Sequence, residues 1–213
     1  MIPVRPLVRL AAIVALAASL SGCISLLPKN KPAQLYRFGA PPAAGQPPGP
    51  SAVGVFSANG AFQREAASDR ILTVTGDKVA YIAETRWAAP AEVLFQQAVQ
   101  AAFEAGPGHV RLVPRGLPAP ADEVLRIDVT NFETRYEDGP KAAPTVLVRL
   151  HATLARDRER AVISEQVFEA RVHAGDNRVS AIVAAYDKAV QDTLSQLVAW
   201  TNAKTPAAAR AAA

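Results

Sequence analysis

Residues 145–156 read TVLVRLHATLAR, and their pattern decides the fold. Val146, Val148, Leu150, Ala152 and Leu154 alternate with Thr145, Arg149, His151 and Thr153. A period of two marks a β-strand with one covered face and one wet face. The next residues, Arg156-Asp157-Arg158-Glu159-Arg160, are a charged turn. A second strand follows at 162–173, with Val162, Phe168, Ala170 and Val172 predicted on one face. Before the first strand, residues 123–136 form a long one, with Leu125, Ile127 and Val129 opposite Arg126, Asp128 and Thr130. Short connections make the three an antiparallel meander.

Further toward the N-terminus the signals are shorter. Residues 109–114 are a brief strand, and residues 90–105 a helix that opens on Pro90 and stops at Gly106-Pro107. Ala91, Leu94, Phe95, Ala98 and Ala102 line one side of it. Residues 70–75 and 78–83 form a hairpin around Gly76-Asp77, and residues 51–57 and 35–38 are two more short strands. At the other end Asp176 is placed to cap a helix over 178–202, whose apolar stripe is Val179, Ile182, Val183, Tyr186, Val190, Leu194 and Leu197. The order is β-β-β-β-α-β-β-β-β-α. The economical arrangement is α+β: a mixed, largely antiparallel sheet with two helices packed on one face.

Two stretches stand outside this pattern. Residues 39–50, GAPPAAGQPPGP, are too rich in proline and glycine for regular structure. Residues 1–22 have the grammar of an export signal: Arg5 and Arg9, then an uncharged apolar run at 10–20 that is too short to span a bilayer. That run ends Leu20-Ser21-Gly22-Cys23, which resembles the bacterial lipobox. Cys23 is the single cysteine of the chain. On this reading Cys23 becomes the lipidated N-terminus, carrying a covalent lipid and no other cofactor. Two or more acyl chains hold stably in a bilayer where one does not. Ile24 follows the cysteine. In enteric lipoproteins Asp at that place favours inner-membrane retention, so by resemblance the destination is the outer membrane, facing the periplasm. The domains are then the signal at 1–22, the lipidated cysteine and tether at 23–34, one domain at 35–203 and a disordered tail at 204–213. Eleven tether residues reach about 36 Å at most.

Composition narrows the function. The full chain of 213 residues carries a formal net charge of +4, of which two units leave with the signal. No Lys/Arg block of the kind that tracks phosphates is present, which argues against nucleic acid. His109, His151 and His173 sit singly on predicted strands; His151 and His173 could face each other across the charged turn. Metal-ligand spacings, a nucleophile elbow and a phosphate loop are all missing from the sequence, so metal sites and catalytic residues are read as none. Glu165 and Glu169 share a solvated face. Leu147 and its neighbours leave two options, a lipid-holding face or a covered core. Tyr81 and Trp87 flank the run into the first helix, and they also have two readings. Trp87 plugs the core or staples the helix start, or the pair forms an aromatic contact for a partner protein.

The lipobox, the Tyr36-Arg37-Phe38 strand after it, the Tyr81-x5-Trp87 run into Pro90, the strand Leu125-Arg-Ile-Asp-Val-x-x-Phe132-Glu and the closing Ala199-Trp200 resemble the auxiliary lipoproteins of ABC-type transport systems, the PqiC-like family. The resemblance spans about residues 34–201. It implies a non-enzymatic docking or receiving adaptor in intermembrane lipid transport. It also implies an MCE-domain protein and an ABC permease complex as partners, and assembly into homo-oligomeric rings. The alternative is an assembly lipoprotein of another envelope machine for secretion or surface-polymer export.

Overall fold

A computed structural model of the protein describes residues 32–39, 52–114 and 121–207. The export signal with Leu20, Ser21, Gly22 and Cys23, nearly all of the tether, the Pro-rich stretch from residue 40 on and residues 208–213 lie outside the described residues.

The meander forms as its pattern dictates. Strand β7 (Ala121–Arg135) pairs antiparallel with β8 (Thr145–Arg156), and β8 pairs antiparallel with β9 (Val162–His173). Val146, Val148, Leu150, Ala152 and Leu154 are all fully buried. Two bulges set which residues join them. In β7 the register slips between Val129 and Asn131, so Phe132 and Thr134 continue the face begun by Leu125 and Val129. In β9 it slips beside Val162, which therefore lies on the opposite face from Phe168 and is 57% exposed. This corrects the expected grouping of Val162 with Phe168, because one extra residue in a strand inverts every side chain beyond it. The same register sets His151 opposite Val167 and His173 opposite Thr145, so the two histidines do not face each other.

The free edge of β7 is shared. Strand β2 (Val53–Phe62) runs parallel to its first part and carries β6 (Val110–Pro114) outside it. Strand β3 (Leu72–Thr75) runs parallel to Thr134 and Arg135 and carries the hairpin partner β4 (Lys78–Tyr81). Gly76 turns that hairpin at φ +59°, a left-handed conformation that favours glycine. A separate parallel pair joins β1 (Gln34–Tyr36) to β5 (Thr85–Trp87), a strand that local pattern did not mark. Its three residues carry too little alternation to register, and its partner lies far away in sequence.

Helix α1 (Ala91–Ala105) packs on β6 and on helix α2 (Val179–Lys204), which crosses β8 and β9. Pro90 sits just before α1, and its carbonyl accepts from the Leu94 amide at 3.0 Å. Arg178, in extended backbone, precedes α2 without a side-chain cap. Asp176 does not cap it, because its carboxylate accepts instead from the Asn177 amide and from Arg178 Nε at 2.9 Å. The chain after α2 is ordered further than expected. Thr205 is buried, and its hydroxyl donates to Glu123 Oε2 at 2.7 Å. The closing segment is thus clamped to the start of β7 rather than loose from residue 204 on.

Candidate functional site

The segment from β4 to α1 holds both aromatic residues singled out as contacts, and the structure separates them. Trp87 is 2% exposed. Its ring meets Phe38 edge-on at 4.9 Å and Tyr186 edge-on at 5.2 Å, and Phe132 closes the cluster 4.8 Å from Tyr186. Its amide donates to the Asp69 carbonyl at 2.7 Å. A ring enclosed in this way offers no surface to a partner, so the structure corrects the contact reading for Trp87 in favour of a core plug. The plug packs against Phe38 and Tyr186. Burial holds the Tyr186 phenol well above its usual value, and its oxygen accepts from the Thr134 hydroxyl at 3.2 Å.

Tyr81 stands differently. It is half-buried, its phenol donates to the Glu65 carbonyl at 3.1 Å, and the Arg70 guanidinium lies 3.9 Å over its ring. Tyr81 and Arg70 form a cation–π pair at the margin of the core.

The open face of the meander is polar and cross-linked. Arg126 pairs with Asp128 at 3.0 Å, Arg149 with Glu169 at 3.7 Å, His151 with Glu165 at 3.9 Å, and Arg171 with Glu137. Partial burial pushes the Asp128 carboxyl up, but its bonds from Arg126 and from the Ala61 amide prevail and leave it below the usual carboxylate range. The Arg171 bond holds Glu137 below that range as well. Exposed pairs of this kind add little stability, but they fix which charges face a neighbour. Leu147 on this side is buried, opposite Glu133. Glu133 is itself buried, bonded to Gln63 Nε2 at 2.8 Å and to Arg135 at 3.1 Å.

Two grooves flank α1. One, of about 630 Å3, lies between α1 and the sheet, over Phe62, Phe95, Val99, Ile127 and Val129. The other, of about 540 Å3, lies between the helices and is lined by Ala98, Ala102, Val190, Leu194 and Val198. Gly39 also lines it, at φ +67°, where an added Cβ would stand 2.7 Å from the Ala98 Cβ. Sequence reasoning marked neither groove, since both form between elements distant in the chain. It also missed a polar clasp. Asn202 Oδ1 accepts the amides of His109 and Val110 at 2.8 and 3.0 Å, and His109 Nε2 lies 2.9 Å from the Thr205 carbonyl. His109 is therefore a structural residue rather than part of a solvated face.

Among the described residues, no group of three or more His, Cys, Asp or Glu could hold a metal ion. No helix among them is long and apolar enough to cross a membrane.

The pattern of one protein family, the ABC-type transport auxiliary lipoprotein component, matches residues 64–198. The chain belongs to this family. The match takes in the Tyr81–Trp87 run, helix α1, most of helix α2 and the whole meander, and leaves out β2. No curated protein matched the sequence. Among solved structures, protein XCC0632 from Xanthomonas campestris is 24% identical, with a TM-score of 0.68 over 81% of this chain and 96% of that one. An uncharacterized protein is 14% identical, with a TM-score of 0.59 over 81% of this chain and 98% of that one. At these identities the likeness is one of fold, and it confirms the α+β architecture.

Proposed function

We propose that the protein is a lipid-anchored adaptor of an ABC-type transport system, held in the outer membrane and facing the periplasm. It docks or receives the periplasmic end of an MCE-domain partner that works with an ABC permease to move hydrophobic molecules between membranes. The observation that carries this is the family match over residues 64–198, joined to the Leu20-Ser21-Gly22-Cys23 lipobox upstream of it.

The chemistry on the domain supports a binding role without catalysis. Arg126 with Asp128 and Arg149 with Glu169 are paired on a solvated sheet face, and Phe38, Trp87 and Tyr186 pack in the core. Cys23 carries the covalent lipid and is the anchor; no further cofactor is invoked. Tyr81, with Arg70 across its ring, is the aromatic contact offered to the partner. Trp87 holds that segment in place from within.

The test is capture from cross-linked membranes of the native host with the tagged full-length chain. An MCE-type protein or a permease subunit should be recovered, and Tyr81→Ala with Arg70→Ala should reduce recovery several-fold. Cys23→Ser should move the protein out of the membrane fraction. Recovery of secretion or polymer-export components in their place would overturn the transport role and favour another envelope machine.

A further inference from the structure

The two helices meet along a groove rather than a closed seam. Where α1 faces it, the side chains are Ala98, Ala101, Ala102 and Ala105, which are too short to fill the space. Helix α2 supplies Val190, Leu194 and Val198, all buried, as the floor. Contacts of two glycines orient the groove. Gly39 touches the first lining residue of each helix: an added Cβ would meet the Ala98 Cβ, and its amide donates to Asp187 Oδ1 at 2.7 Å. Further along, a Cβ added to Gly106 would stand 3.1 Å from Val198 Cγ1. The helices therefore run in the same direction beside the groove, and at about 1.5 Å of rise per residue it extends about 12–16 Å.

The lining says what fits. A volume of about 540 Å3 is in the range of small-molecule sites. Among the described lining residues there is no lysine, arginine, histidine or aromatic ring. The groove thus has no cation to hold an anion within it, and no ring face on which a sugar or a nucleobase could stack. An uncharged apolar occupant remains, and a trough that follows two helices suits a linear chain. Asp187 is the one charged residue of the described lining, and it stands at the Gly39 end. A cation is close to that end. Arg37 lies two residues before Gly39, and its guanidinium donates to Gln97, the neighbour of Ala98, at 3.3 Å. Opposite charges at one end complement a zwitterionic head, whereas a free fatty acid would bring its carboxylate against Asp187.

We infer that the groove between α1 and α2 holds one acyl chain of a zwitterionic phospholipid, with the head at the Gly39 end near Asp187 and Arg37. The domain then takes up lipid itself as well as docking a partner. This rests on the transport reading and gives it a substrate class and a site. The alanines of α1 have a use on this account. Larger side chains there would pack against Val190, Leu194 and Val198 and leave no room for a chain.

The test uses the full-length chain in its native host, grown with radioactive phosphate. Photoreactive benzoyl-phenylalanine replaces Ala101 or Ser195, which line the groove, or Val93, an exposed residue of α1 that lines neither groove. After irradiation the Ala101 and Ser195 variants should carry phosphate label several-fold above the Val93 variant, and mass spectrometry of the adduct should show a zwitterionic phospholipid. Filling the groove with Ala102→Phe should remove the label from the Ser195 variant, while the purified protein melts no lower than the parent. Ala105→Phe serves the same purpose if Ala102→Phe fails to fold. Arg37→Glu should lower the label several-fold. The label also separates sources, since the acyl groups carried on a lipidated cysteine contain no phosphorus. Equal label at Val93, label that survives both fillings, or cross-links without phosphate to the chain's own acyl groups, to residues 40–51 or to another protein would each overturn the inference. Capture of an MCE-type protein or a permease subunit is scored separately. Capture without labelled adduct sinks the groove alone, and labelled adduct without capture sinks the transport role and leaves the groove standing.

Discussion

The meander of β7, β8 and β9 and the run from Tyr81 to Pro90 make opposite use of sequence. In the meander, apart from its two bulges, each residue's place follows from its neighbours two positions away. In the run, Trp87 finds its place only through Phe38 and Tyr186, from opposite ends of the domain. Both regions bury large apolar side chains completely. The difference is that alternation reports which side of a strand is covered, whereas a lone aromatic residue reports nothing of what will surround it. The sequence favours the plug or staple for Trp87 over partner contact, but only the assembled core decides between them.

Substitutions can break this contrast or sharpen it. Trp87→Ala should have the largest effect, a loss of about 3–5 kcal/mol of folding stability measured by denaturant unfolding, because it empties the middle of an aromatic cluster. A variant as stable as the parent would return Trp87 to the surface and to partner contact. Leu150→Ala, in the centre of the meander, should cost about 2–5 kcal/mol. If it proved far milder than Trp87→Ala, the meander would be the more adaptable of the two regions. Tyr186→Phe keeps the ring and removes only its bond with Thr134, so it should cost about 0.5–1.5 kcal/mol and leave the fluorescence of Trp87 buried.

The smallest effect belongs to the wet side of the meander. The folded protein holds Asp128 below the usual carboxylate range. The unfolded chain therefore takes up that proton first as pH falls, so the contribution is full above about pH 4 and fades below it. Between about pH 5 and pH 3 the parent should lose more thermal stability than Asp128→Asn does. Equal losses would mean that the ion pairs of the open face have no energetic weight, as is common for exposed pairs.

Much of the fold was legible because strand pairs close in sequence leave a local trace. The helices, the three long strands and the β3–β4 hairpin all have one. The bulge in β7 even shows in the spacing, since the apolar series Leu125, Ile127, Val129 is followed by Phe132 after a step of three. Its counterpart in β9 does not show, because Val162 and Ile163 are both apolar and either could face the core. The parallel pairings of β2 with β6 and β7, and of β1 with β5, join segments far apart in the chain, and no local pattern encodes a distant partner. For the same reason the grooves beside α1 and the Asn202–His109 clasp were invisible beforehand.

The sequence by itself determined the α+β class, the two helices and the meander. Each of these rests on residues within one turn or one strand, where covalent neighbours set the geometry. Only the tertiary structure decided that Trp87 is core and that Val162 points outward. Those outcomes depend on what packs across the chain, and burial is a property of the assembled surface, not of any one segment.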